Sequence, residues 1–509
     1  MKLAAGAILV FTAACSNGSA PGSTTAGCAP PRSFADEAAD LVVAPLGEPV
    51  WVMATAEATF SSPRVVDLNG DDVLDVVQGF GQDTFGARES SVIATDGATG
   101  ALLWKSTGHE DLVGSATFAH LGGDDAVDVI IGGRRGALLA IDGATGSLLW
   151  SFDDQGGRWF NFYTSQIVAD QNGDGVVDVV AANGGLVIAE PEEGMGLPDG
   201  DERQLGTIFL VSGMDGSVIS SIRIVDQRES YMSPIVLPAH EFGEVSVLIG
   251  TGGETLPGSL WRLPLTSLTA DTFDGAKTVL SGGDKGVIAA PSVTNLTSDC
   301  VADIVVQAFD GTITALDGAT DEVLWAVVNG GFETYSTPSL GYFVGNDQVP
   351  DVFAAVARGA WPEYESSDYM VIDGATGQVA WRATLGTFAP SGFVAADLNG
   401  DGRDEVIFGA NNLAENTHQM YVLDPSRGQL HELGEPLPQT TFSSPWLGDL
   451  DSDGRLDLLV TESAYQSAGA ARVHRYRLDW LAPDDISWGG YLGTIGTGLL
   501  GGDSASELN

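Results

Sequence analysis

Asp67, Asn69, Asp71 and Asp75 stand at positions 1, 3, 5 and 9 of a short acidic loop, DLNGDDVLD, set between two apolar runs. Alternate side chains at that spacing, with one backbone carbonyl, can converge on a single hard cation, which takes roughly six to eight oxygens. Calcium is the natural occupant. The same set returns as Asp170, Asn172, Asp174 and Asp178, as Asp397, Asn399, Asp401 and Glu405, and as Asp449, Asp451, Asp453 and Asp457. Poorer versions begin at His120 (with Asp124 and Asp128), at Asn295 (with Thr297, Asp299 and Asp303) and at Tyr342 (with Asp347 and Asp351), while Pro238 to Ser246 has lost the pattern. A hydrogen-bonded Asx turn without metal is the alternative for every loop, and the favoured reading for the incomplete ones.

Other chemistry is hard to find. The six histidines are scattered, and His109-Glu110 and His240-Glu241 each lack the second histidine of a zinc helix. Neither a G-x-S-x-G elbow nor a phosphate-binding loop occurs. Carboxylate pairs for glycosidase or lyase work cannot be singled out where Asp and Glu number 69.

The loops need strands to hold them. Each is followed by a second unit such as SVIATDGATGALLW, in which DGATG supplies a tight turn between runs of β-formers, so it reads as a hairpin. Loop starts at Asp67, His120, Asp170, Pro238, Asn295, Tyr342, Asp397 and Asp449 recur about every 55 residues, the period of a four-stranded propeller blade. Eight units predict an all-β, eight-bladed propeller over residues 48–490. The last unit lacks an LLW strand, and Glu48 to Pro63 resembles the end of a repeat, so the strand at Trp51 is expected to complete blade eight and remove the exposed edges. ISWGGYLG, near Trp488, is the rival clasp.

The SSPxxxDLNGDGxxDVV units resemble FG-GAP/VCBS repeats, and the AIDGATGSLLW units resemble the tryptophan-docking repeat of PQQ-type quinoprotein propellers. Ala140, Asp142, Thr145, Gly146 and Trp150 match the docking pattern fully, as does Ala94 to Trp104; Ala315 to Trp325 has Asp321 where glycine is expected, and Val371 replaces alanine before Trp381. The resemblance implies a propeller whose tryptophans Trp104, Trp150, Trp325 and Trp381 fill the space between neighbouring sheets. It carries little about activity, because a fold hosts many functions. A quinoprotein dehydrogenase is further expected to carry an adjacent Cys-Cys pair or comparable cofactor bracket, and this sequence has none.

MKLAAGAILVFTAAC has one basic residue, a short apolar run and small residues before Cys15, which reads as a lipoprotein signal rather than a membrane span of about 20 residues. Cys15 is the expected lipidation site and the membrane, through that anchor, an expected partner. Plain secretion is the alternative. Residues 16–47 are rich in Ser, Gly, Ala and Pro and are expected to form a flexible tether, and 491–509 a C-terminal tail. With Cys15 acylated, Cys28 and Cys300 remain; two unpaired thiols are the favoured reading and a bridge the alternative.

The net charge of −47, with 22 basic residues against 69 acidic, argues against nucleic acid, which needs basic patches. Bound calcium accounts for part of the acidity and a solvated surface for the rest.

Strand alternation separates the two faces of the ring. Acidic loops and DGATG turns share one; the other carries the irregular insertions Gly79 to Ser91, Glu190 to Gly206, Ala357 to Asp368, Asn411 to His418 and Glu462 to Ala470. An aromatic three residues before the proline position also recurs there, as Phe60, Tyr163, Tyr231, Tyr335 and Phe442. Such a ring could stack on a glycan or peptide, with Tyr163, Tyr231 and Tyr335 as contacts and Trp159 and Trp361 as neighbours; core packing is the alternative. The sequence therefore points to an exported, lipid-anchored, calcium-binding module for ligand capture or scaffolding at the cell surface, in the outer membrane or, without the anchor, periplasmic or secreted. A PQQ-type oxidoreductase, a polysaccharide lyase and an envelope assembly scaffold stay open.

Overall fold

The computed structural model describes residues 32–35, 40–81, 90–122, 126–152, 161–184, 205–254, 256–360, 363–389, 392–463 and 470–500. Its strands form eight antiparallel four-stranded blades, the sixth with one short extra strand. Blade one runs outward from the axis as Arg64–Val66, Asp75–Phe80, Ser90–Thr95 and Leu102–His109, here strands A to D. The B strands are buried along almost their whole length, since neighbouring blades cover both faces of each sheet, and this is why they read as continuous apolar runs. In blade four, whose loop has lost the acidic pattern, a short helix, Ala239–Phe242, joins strands A and B.

Ring closure follows the expectation. Trp51–Thr55 is the outermost strand of blade eight and pairs antiparallel with Ala471–Leu481, from Trp51 opposite Arg475 to Thr55 opposite Ala471. Blade contacts are then stitched in two places. Near the axis, a hydroxyl just before strand A accepts a backbone N–H from the preceding blade at four successive interfaces: Ser444 to Ser62 Oγ (2.9 Å), Ser62 to Ser115 Oγ (3.0 Å), Ser115 to Thr164 Oγ1 (2.9 Å) and Thr164 to Ser233 Oγ (3.2 Å). At the rim, Trp51, Trp104, Trp150 and Trp325 each donate the indole N–H to the glycine carbonyl that opens the next C–D turn, at Gly97, Gly143, Gly213 and Gly374, over 2.6–2.7 Å. The ring of Trp104 lies on Gly146, whose φ of +74° and missing Cβ leave the room.

Trp488 takes no part in closure. Residues 486–500 instead fill the axis. Trp488 exchanges backbone hydrogen bonds with Ala395 of blade seven, Gly489 accepts from Leu447 of blade eight, and Gly498 and Leu500 bond Val293 of blade five. Arg64 of blade one donates to the carbonyls of Tyr491 (2.7 Å) and Ile495 (3.1 Å), and Gln166 of blade three to that of Gly496. Gly496 is where the guanidinium crosses the segment: a Cβ there would stand 1.8 Å from Arg64. Trp488 and Leu492 are buried. The expected C-terminal tail is thus, as far as residue 500, a hub.

Two further expectations are corrected. The described parts of the tether are docked: Arg32 forks onto Asp404 with two 2.8 Å bonds, Ala35 N–H reaches Asp401 O, and Leu41 and Leu46 pack on blades seven and eight. Cys300 is disulfide-bonded, not a free thiol; Cys15 and Cys28 lie outside the described residues. Of the insertions, Ala357 to Asp368 and Asn411 to His418 continue the B–C hairpins, pairing Ala360 with Glu363 and Asn412 with Thr417. Their polar residues hid a strand period.

Candidate functional site

The acidic loops share one hydrogen-bonded frame. The carboxylate at position 1 accepts loop amides: Asp67 from Gly70 (2.7 Å) and Asp72 (3.1 Å), Asp170 from Gly173 (2.6 Å) and Gly175 (2.8 Å), Asp397 from Gly400 and Gly402 (both 2.7 Å), and Asp449 from Gly454 (2.8 Å). Asn69, Asn172 and Asn399 each accept the amide two residues on. Asp71, Asp174, Asp401 and Asp453 do likewise. These bonds hold the Asp170 and Asp174 carboxyls below the usual range, the Gly175 and Val176 amides respectively contributing most.

Position 9 works differently. Asp75 is buried and joins the loop to the DG turn, accepting from Leu68 and Gly97 (both 3.0 Å). Asp178, Asp303 and Asp351 repeat this with the amides of Gln171 and Gly213, of Leu296 and Gly318, and of Phe343 and Gly374. Asp457 bonds Leu450 and the Arg475 guanidinium, and Glu405 bonds Leu398 and Asn399. Burial pushes Asp351 up to about 7 and Glu405 to about 9.

In blade eight, Asp449, Asp451 and Asp453 each bring one carboxylate oxygen within 4.8 Å of the others, which among the described residues is the group of acidic, histidine or cysteine side chains able to chelate a metal ion. The donors are all oxygen, as a hard cation requires. Arg475 and Arg477 pair with Asp451 and Asp453 and compete for the same oxygens.

The opposite mouth of the channel brings the predicted tyrosines together. Tyr163 Oη accepts from Asn161 (3.2 Å), and the buried Arg134 guanidinium lies within electrostatic reach of both the Tyr163 and Tyr231 phenols. Tyr335 Oη donates to Glu254 Oε1 over 2.7 Å, spanning from blade six to blade four above blade five. Burial and the adjacent Glu254 hold that phenol well above its ordinary range. Glu333 accepts from Tyr364 Oη (2.8 Å) and pairs with Lys285, whose Nζ lies 5.1 Å from the Phe309 ring centre. On the other side of the mouth Phe60, Phe388, Phe442, Tyr364, Leu413 and the Tyr335 ring form one apolar cluster. Core packing thus claims much of Phe442, while Phe60, Tyr163, Tyr231 and Tyr335 stay part-exposed. The mouth has a polar and an apolar half. Trp159 and Trp361 lie outside the described residues, as does Cys15. Sequence reasoning missed Arg134, Glu229, Glu254, Lys285 and Glu333, although Glu-Ser-Tyr at 229–231 and Glu-Thr-Tyr at 333–335 repeat a legible signal.

Among the described residues no helix is long and apolar enough to cross a membrane. No curated protein matches the chain. Among solved structures, it resembles a europium-containing methanol dehydrogenase (11% identity, 85% of this chain and 93% of that one, TM-score 0.57). It also resembles the quinohemoprotein alcohol dehydrogenase ADHIIG of Pseudomonas putida HK5 (15%, 86% and 77%, 0.55). The quinohemoprotein alcohol dehydrogenase of Comamonas testosteroni is similar too (13%, 85% and 76%, 0.54). These identities speak for the fold alone. The family model for the FAM234A/B beta-propeller matches residues 82–399, more than half of the sequence, and the chain belongs to that family.

Proposed function

We propose that this chain is an exported, lipid-anchored propeller that captures a ligand at the mouth carrying Tyr163, Tyr231 and Tyr335, with calcium bracing the acidic loops of the other face. The observation that carries the reading is the asymmetry of the axis. Residues 486–500 occupy it, contacting the A strands around the ring, whereas the opposite mouth keeps part-exposed tyrosines beside Arg134, Glu254 and Lys285. A mouth with one aromatic wall and one charged wall suits a ligand with an apolar and a polar side, such as a glycan or peptide. The test is a glycan and peptide screen with and without calcium, followed by Tyr335→Ala on any ligand found. Unchanged affinity in that variant rejects the site.

A PQQ-dependent oxidoreductase is the second reading, favoured by the fold likeness to the quinoprotein dehydrogenases. Titration with the quinone, followed by its absorbance and by dye reduction with alcohols, decides it. An envelope scaffold would instead retain partner proteins on an affinity column without any small ligand.

A further inference from the structure

We propose that the face carrying the acidic loops lies against a zwitterionic lipid surface, with the first residues of the outer strands as its apolar contacts. The proposal deepens the anchor reading and rests on it for the direction in which the chain is held.

The outer strands Leu102–His109, Leu148–Ser151, Val323–Val327 and Val379–Thr384 each begin directly after a DG turn with an aliphatic residue. Leu102, Leu148, Val323 and Val379 are 60, 49, 57 and 39% exposed. A bulge produces this. Thr95 pairs with Leu102 and Ala94 with Trp104, so one residue is skipped, and the same slip recurs before Trp150, Trp325 and Trp381. The bulge re-aims the tryptophan toward the next blade and leaves the strand start outside. The fold does not require an apolar residue there, because blades four and seven begin the same strand with Lys277 and Gln429. Four aliphatic side chains repeated on one rim therefore mark a contact surface, whereas singly scattered ones would not.

The occupant follows from where the chain enters. Arg32 and Ala35 are fixed to Asp404 and Asp401, in the A-to-B loop of blade seven, so the first described residues lie on this face, 17 positions after Cys15, the residue expected to carry the lipid. Cys300, in the equivalent loop of blade five, is disulfide-bonded. The Arg32 and Ala35 contacts hold the first described residues on the face that carries the aliphatics. The acidic loops on the same face repel anionic headgroups, which leaves a zwitterionic surface as the fit. The tyrosine mouth then points away from the membrane.

The test places a cysteine-linked environment-sensitive dye at Leu148 on the rim, or at exposed Glu415 on the opposite face, in the full lipidated chain bound to phosphatidylcholine vesicles with quencher lipids. The expected result is several-fold stronger quenching at position 148; equal or reversed quenching overturns the proposal. A second arm uses the Cys15→Ala chain with added vesicles. Replacing Leu102, Leu148, Val323 and Val379 together by serine should weaken its vesicle binding about tenfold, with melting unchanged, and phosphatidylglycerol vesicles in chelator should bind less than phosphatidylcholine. Binding indifferent to the four serines overturns it. Absence of acylation on Cys15 in the wild-type chain would reject the anchor reading, while the Cys15→Ala arm still reads the face itself.

Discussion

Arg262 Nη2 lies 2.8 Å from Asp321 where blades four and five meet, and Arg262 Nη1 donates to Gly318 O over 3.0 Å. Gly318 is the carbonyl that an indole satisfies at other interfaces, and Asp321 holds the glycine position of the turn, with φ at +61°. One departure from the repeat explains the other. Without a docking indole the interface keeps a cavity of about 380 Å³, lined by Phe242, Arg262, Pro264, Lys277 and Val301 among others. Asp321→Gly, which restores the repeat, is expected to destabilise the protein by about 1–2 kcal/mol, since it strands a largely buried guanidinium. Adding Arg262→Met should recover much of the loss in a double-mutant cycle.

Trp104→Phe keeps one six-membered aromatic ring but removes the indole N–H, leaving the Gly143 carbonyl without its partner. A loss of about 2 kcal/mol is expected. Urea unfolding measures it, and an unchanged midpoint would show that packing alone docks the blades.

Calcium should raise the melting temperature by mass action, about 2.7 kcal/mol for each independent site at a hundredfold excess over its dissociation constant. Asp453→Ala should remove part of that effect. Asp303→Ala, in a loop without the full donor set, breaks bonds from Leu296, Thr297 and Gly318 and should cost about 3 kcal/mol with calcium or chelator alike. Identical melting of chelated and calcium-loaded protein would leave the loops as Asx turns.

His418 is buried, with Nδ1 2.8 Å from Asn411 Oδ1, and burial lowers its pKa to about 3. The unfolded chain binds the proton near its ordinary value of 6.5, so this contribution to stability is complete above that pH and is lost as pH falls toward 3. Between pH 7 and pH 5 the wild type should lose about 2 kcal/mol more than His418→Gln. Parallel pH profiles would contradict the assignment.

The blade count, the closing strand and the loop frame were legible because each is written several times along the chain, and periodicity averages out local noise. The Asp321 exception was visible at once, yet its partner Arg262 was not, because it replaces an indole from a different strand. The mouth tyrosines stood out by type. Arg134 and Glu254 did not, since they come from B–C turns that share no repeat. The hub escapes the sequence for the opposite reason: ISWGGYLG reads as a rival clasp and 491–509 as a tail because the stretch occurs once, and nothing in a single stretch reveals an empty axis waiting for it.

That hub also sets the sequence separation of the closing contacts. Arg64 meets Tyr491 across 427 residues, and Trp51 meets Arg475 across the same ring, so blade one and the axial segment must find each other over a long stretch of chain. Contacts of such sequence separation slow folding, and until they form both end sheets present open edges. The ring therefore gains its last stability from these long-range contacts rather than from any single blade.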